Sequence, residues 1–241
     1  MSKYPVVVGL ILVLATNAHA QHIHRNGFEA NKTAWTPGAA NAINEVVTHA
    51  STDQGAHTGQ RSEYLQLKAQ PGEFIYYQYP VGKAPISEEL TGAVWLKANR
   101  PGLRLMARII LPNERDPKNL AAPMSTLIRG DEYQNTGRWQ KVSFSRPLSI
   151  VQLAKQQQQL MQAQLQRPVN FTDAYIDALL VNVYAGPGPT ELWIDDLEIG
   201  PVLNEPSAPD KGNPKGTPVA RPTQGSGGSA KPAAEFNGTQ L

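Results

Sequence analysis

The stretch "ELWIDDLEIGPV", residues 191–202, alternates apolar and polar side chains in the way that a half-buried β-strand does. Leu192 and Ile194 point one way, whereas Leu197 and Ile199 resume with shifted parity. The slip falls on two adjacent carboxylates, Asp195 and Asp196. One extra residue in a strand shifts parity in this way, so the pair marks a β-bulge whose carboxylates can accept nearby backbone N–H groups or an arginine. A strand this long and this apolar on one face needs a second apolar layer to cover it.

Working back along the chain, the same period of two recurs in "EYLQLKA" (63–69), "EFIYYQY" (73–79), "TGAVWLKA" (91–98), "LRLMARIIL" (103–111), "RWQKVSFS" (138–145) and "DALLVNVYA" (177–185). Several short strands separated by turn residues predict an all-β sandwich or barrel. One segment breaks the pattern. "SIVQLAKQQQQLMQAQLQ" (149–166) places Ile150, Leu153, Ala154, Leu160, Met161 and Leu165 at three- and four-residue spacings, which predicts a single inserted surface helix ended by Pro168.

Both flanks differ from this body. "MSKYPVVVGLILVLATNAHA" has Lys3, an apolar run and a small-x-small ending at Ala18-His19-Ala20, so residues 1–20 read as a secretory signal peptide; beyond it nothing suggests a membrane. His22 and His24, which follow, read as part of a solvated terminus. Residues 203–235 are rich in Pro, Gly, Ser and Lys and read as a disordered linker, and "FNGTQL" (236–241) reads as the start of a further, covalently linked domain. The 241 residues carry a formal charge of +2 and no cysteine, which excludes a disulfide scaffold and a thiol nucleophile and argues against nucleic acid as a ligand. No nucleophile elbow and no phosphate-cradling glycine loop occurs.

The ordered set "NGFEANKTAW", "HTGQRSEYLQL", "TGAVWLKANRPG", "GRWQKVSFS" and "ELWIDDLEI" resembles the carbohydrate-binding modules of the galactose-binding-like jelly-roll type over essentially all of residues 26–200, the helix apart, within a domain that spans 26–202. The resemblance implies a jelly-roll β-sandwich. It also implies a structural calcium ion where the first and last strands meet, held by Glu29, Asp195 and oxygens of the stretch from Thr58 to Arg61. Calcium takes six to eight oxygen ligands, which suits carboxylates with backbone carbonyls. The bulge without a metal is the alternative.

A glycan site needs aromatic platforms beside planar hydrogen-bonding groups. Strand alternation offers Trp95, Arg108, Asn182, Tyr184 and Tyr77 as candidates, with Asp131 or Glu132 as the counter-charge for Arg108. Trp35, Trp139 and Trp193 read as structural. The sequence therefore predicts a non-catalytic module in the secreted, periplasmic or cell-surface space that binds a polysaccharide or glycan and is tethered to a carbohydrate-active enzyme. The alternative is a jelly roll that makes structural or protein–protein contacts without sugar affinity.

Overall fold

The computed structural model describes residues 21–144 and 148–203. The signal peptide, the linker beyond Leu203 and the segment 236–241 lie outside the described residues.

Eleven strands and one helix follow in chain order: β1 (Gln21–Asn26), β2 (Thr36–Ala40), β3 (Asn44–Thr52), β4 (Ser62–Ala69), β5 (Ile75–Pro85), β6 (Thr91–Ala98), β7 (Arg104–Asp116), β8 (Asn119–Glu132), β9 (Gln140–Ser143), α1 (Ile150–Leu165), β10 (Tyr175–Asn182) and β11 (Gly188–Leu203). All pairings are antiparallel. Sheet A runs β3-β4-β11-β6-β9, with β1 continuing the β4 side of β11. Sheet B runs β2-β5-β10-β7-β8. A single bridge, Leu203 to Lys83, joins the two at one corner. The chain crosses repeatedly between the layers, giving a jelly-roll β-sandwich with one helix inserted between β9 and β10.

Alternation decides which side chains fill the space between the sheets. Leu192, Ile194, Leu197 and Ile199 of β11 face Leu105, Ala107, Ile109 and Leu111 of β7 across one continuous core, all at most 1% exposed. Trp35, Tyr133 and Phe144 are buried there too. The Tyr133 hydroxyl donates to the Ala98, Asn135 or Arg138 carbonyls that surround it at 2.5–3.2 Å, so its polar end is satisfied.

Helix α1 starts on a capping box. Ser149 Oγ accepts from the Gln152 amide, and the Gln152 side chain accepts from the Ser149 amide at 3.0 Å. It ends at Gln166, which takes the left-handed conformation two residues before Pro168. Ile150, Ala154 and Met161 anchor it to the core, whereas Leu160 is 57% exposed and Leu165 is also open, so only part of the expected stripe is buried.

Three strands lack the expected signature: β2, β3 and β8 are the outermost strands of their sheets. Pro37 and Pro123 sit in β2 and β8, positions that an edge tolerates because one side makes no ladder bonds. A fourth difference is β1. Residues 21–26 form a strand against β11, so His24 belongs to the body and contacts the Tyr79 hydroxyl at 2.9 Å.

Candidate functional site

The bulge in β11 falls where the parity shift places it: the register against β6 slips between Asp195 and Glu198, and Asp196 has φ of 45°. Asp195 is fully buried, and its Oδ2 accepts from the His57 amide at 2.7 Å and the Thr58 amide at 3.3 Å. Its Oδ1 accepts from the Asp196 amide at 2.8 Å. Burial pushes the Asp195 carboxyl up from its ordinary range, while these N–H donors pull it back down. Asp196 accepts from the Thr58 hydroxyl at 2.8 Å and lies 2.6 Å from His57 Nδ1. Glu29 caps the same loop from the other side, accepting from the Gln60 amide at 3.0 Å and the Arg61 amide at 3.3 Å. Gly59 at φ 65° lets that loop close, because a Cβ there would run into the Glu29 carboxylate.

These contacts bear on the expected calcium. The expected ligands come together here: Glu29 and Asp195 both approach the stretch from Thr58 to Arg61, whose N–H groups donate to their carboxylates. Three carboxylates pin the loop 53–61 across the outer face of sheet A.

That outer face is aromatic. Tyr64 of β4, Trp193 of β11 and Lys97 of β6 lie in one cross-strand row, with Tyr64 and Trp193 rings 4.8 Å apart and the Lys97 ammonium 5.1 Å from the Trp193 ring. Trp95, one step along, stacks on His57 at 3.8 Å, and Trp139 meets His57 edge-on at 5.5 Å. Trp193 is therefore outward, opposite the core-facing Leu192 and Ile194, and not the core residue that its place in a terminal strand suggests.

The outer face of sheet B is different. Tyr76, Gln78, Leu180, Met106 and Arg129 lie on it, the last four in one register row across β5, β10, β7 and β8. Phe74 stacks on Tyr76 at 4.7 Å and 15° between planes. Met106, Ala178 and Leu180 make a small apolar floor, and α1 walls one side with Leu153, Gln156, Gln157 and Leu160, enclosing a groove of about 570 Å³.

The structure disperses the residues expected to bind glycan. Tyr77 is 1% exposed and packs edge-on against His49 in the core; the face that β5 turns to solvent carries Tyr76 and Gln78 instead. Trp95 lies on sheet A, on the opposite side of the sandwich from Arg108 and Asn182. Arg108 is open to the sheet B face but is held by Asp177 through two 2.8 Å bonds, and not by Asp131 or Glu132. Asp131 accepts from Ser143, and Glu132 pairs with Arg104. The Asn182 oxygen accepts from the Ile75 and Tyr184 amides at 3.0 and 3.2 Å, and the Tyr184 hydroxyl accepts from the Gly72 amide, so both serve the loop at the sheet's end.

No protein-family model and no curated protein matches the chain. Similar solved structures include the CBM22-1 xylan-binding domain of Paenibacillus barcinonensis Xyn10C, at 16% identity and TM-score 0.44, over 78% of this chain and 99% of that one. Another is the family 30 carbohydrate-binding module of the Clostridium thermocellum cellulosomal cellulase Cel9D-Cel44B, at 12% identity and TM-score 0.41, over 71% and 94%. A third is the C-terminal family 22 carbohydrate-binding module of C. thermocellum Xyn10B, at 12% identity and TM-score 0.41, over 78% and 98%.

Proposed function

We propose that this chain is a secreted, non-catalytic carbohydrate-binding module that holds a polysaccharide in the groove between the outer face of sheet B and α1. The observation that carries this reading is the pairing of an open aromatic ring, Tyr76 backed by Phe74, with planar polar groups along one groove. Sugars present apolar C–H faces ringed by hydroxyls. Tyr76 matches the first, and Arg129 and Gln156 match the second, over the floor of Met106 and Leu180. Among the described residues no carboxylate lines the groove, and nearby Asp177 is held by Arg108. Glycoside hydrolysis needs two carboxylates flanking the bond, so the groove is built to bind and not to cleave. The helix bounds the groove without filling it, which favours a ligand over a purely bracing role.

Tethering to a carbohydrate-active enzyme through the linker is part of the same proposal, since a module that holds polymer raises its local concentration for an attached enzyme. Affinity electrophoresis against a panel of soluble β-glucans, xylans, galactans and mannans tests the binding. Tyr76→Ala and Arg129→Ala should each weaken retention by about tenfold or more, because a stacking contact or charged hydrogen bond contributes about 1–3 kcal/mol. Tyr184→Ala should leave it unchanged. Exposed Leu160 beside the groove favours a protein partner as the second reading, and wild-type protein that binds no polymer in the panel would establish it over the first.

A further inference from the structure

We propose that the outer face of sheet A is a second saccharide-binding site, with the Trp193 indole as its platform, Tyr64 as the adjoining ring and Lys97 as the hydrogen-bond donor. This goes beyond the groove reading and uses none of its residues. An antiparallel sheet that covers a core on one side ordinarily turns polar side chains to water on the other. Here three of the chain's four tryptophans, Trp95, Trp139 and Trp193, meet on or beside that outer face, and only Trp35 serves the core. None of them is needed to seal the sandwich, because Leu192, Ile194, Val94 and Leu96 from the same two strands already do so at no more than 1% exposure.

The loop 53–61 accounts for part of this aromatic surface and not the rest. His57 stacks on Trp95, so that ring has a protein partner. Beside Trp193 the loop places only Gly55, at φ 90°, where a Cβ would come to ordinary contact distance of the indole nitrogen and the Lys97 ammonium, 3.9 and 3.7 Å. Trp193 and Tyr64 are both half-buried, so part of each ring reaches solvent. Lys97 has no carboxylate partner among the described residues, and its ammonium stands over the Trp193 ring with donors free for hydroxyl or carboxylate oxygens. One cross-strand step away, Gln66 donates to Glu191 at 3.3 Å, placing a planar amide and a carboxylate beside the platform. An aromatic plane bordered by a cation, an amide and a carboxylate is chemistry for a sugar ring with equatorial hydroxyls. It suits a protein contact less well, since the core of such contacts is depleted in charge.

Tryptophan emission reads this site separately, because the groove on sheet B has no tryptophan in its lining. The full chain is titrated with soluble neutral and uronic-acid polysaccharides while emission is followed, in parallel with affinity electrophoresis. Binding on sheet A should shift the emission with at least one polymer. Trp193→Ala and, independently, Tyr64→Ala should weaken that response tenfold or more at unchanged melting temperature, whereas Tyr76→Ala should keep it. Lys97→Gln should weaken binding of the uronic-acid polymer more than that of a neutral one if the charge is read. Retention that depends on Tyr76 with no tryptophan response overturns the second site and spares the groove. A tryptophan response that survives in both Trp193→Ala and Tyr64→Ala also overturns it, and a panel that neither binds nor alters emission overturns both readings.

Discussion

The two outer faces of the sandwich start from the same strand alternation and end as different surfaces. On sheet A a loop crosses the strands and is fastened by Asp195 and Glu29, which accept from its amides, and by Asp196, which meets the Thr58 hydroxyl and the His57 imidazole. On sheet B no loop crosses among the described residues, and the polar groups of Arg129 and Gln156 stay available around the Tyr76 ring, whereas Gln78 accepts from Arg108 at 3.4 Å. The contrast shows that carboxylates clustered at a strand bulge organise the protein itself, whereas a ligand surface depends on polar groups that have found no internal partner.

The largest expected effect follows from the fastening. Asp195→Ala leaves three part-buried amides without their acceptor, and it should lower stability by about 2–3 kcal/mol, since a fully buried donor so orphaned costs about 1–3 kcal/mol and the loop can relax toward water. Chemical denaturation with the midpoint compared at constant slope measures it. Asp195→Asn should recover little, because the carboxamide has one acceptor oxygen where the carboxylate uses two. A loss below half a kcal/mol would mean that the loop is not held by this residue, and the contrast between the faces would fail.

A smaller effect separates the hydrogen-bonded loop from the calcium that the sequence resemblance implies. With amides at the carboxylates, the melting temperature of the wild type should not move on addition of calcium or of chelator, and Asp196→Ala should cost only about 1 kcal/mol, as expected of a half-exposed acceptor. A calcium-dependent rise that Asp195→Ala abolishes would show that the loop turns its carbonyls inward around an ion.

Much of this architecture was legible in the sequence, and the reason differs by strand. The central strands β4, β5, β6, β7, β10 and β11 each bury one face, so residues such as Leu103, Leu105, Ala107, Ile109 and Leu111 write the fold directly as alternation. The edges β2, β3 and β8 bury little and carry Pro37, Pro123 or exposed Val46 and Val47, so their period is faint. The sites were harder. Parity groups residues by face but does not say which face is inside. For "IYYQY" the deciding signal was Gln78: a polar residue sharing a face with Tyr76 sends that face to water and Tyr77 inward. For β11 it was Leu192 and Ile194, which force Trp193 outward. The partner of Arg108 was not legible, because Asp177 lies 69 residues away and meets it only through the pairing of β10 with β7.

The smallest expected effect lies where the two sheets share a polar contact, between β1 of sheet A and β5 of sheet B. The Tyr79 hydroxyl accepts from Asn26 at 2.9 Å, so its own proton points to His24 Nε2, also at 2.9 Å. That bond requires a neutral imidazole. Burial holds the His24 imidazole below its ordinary range, with His22 adding to the shift. In the unfolded chain the imidazole binds its proton near pH 6.5, whereas the folded protein resists it to a lower pH. The unfolded state therefore carries more protons in this window, so the contribution of His24 to stability is complete above about pH 6.5 and is lost as the pH falls through the range below it. Burial of Asp195 acts with the opposite sign, since a carboxyl raised above its ordinary value favours the folded state at low pH. The two are told apart by the variant. His24→Gln keeps an amide oxygen for the Tyr79 hydroxyl but cannot titrate, so the difference in stability between wild type and variant should be flat above about pH 7 and should shift against the wild type on going to pH 5. Denaturation midpoints at half-unit intervals measure this difference. A difference that stays constant across the window, or that moves in favour of the wild type with acid, would show that His24 is charged in the fold and that the seam between the sheets is held in another way.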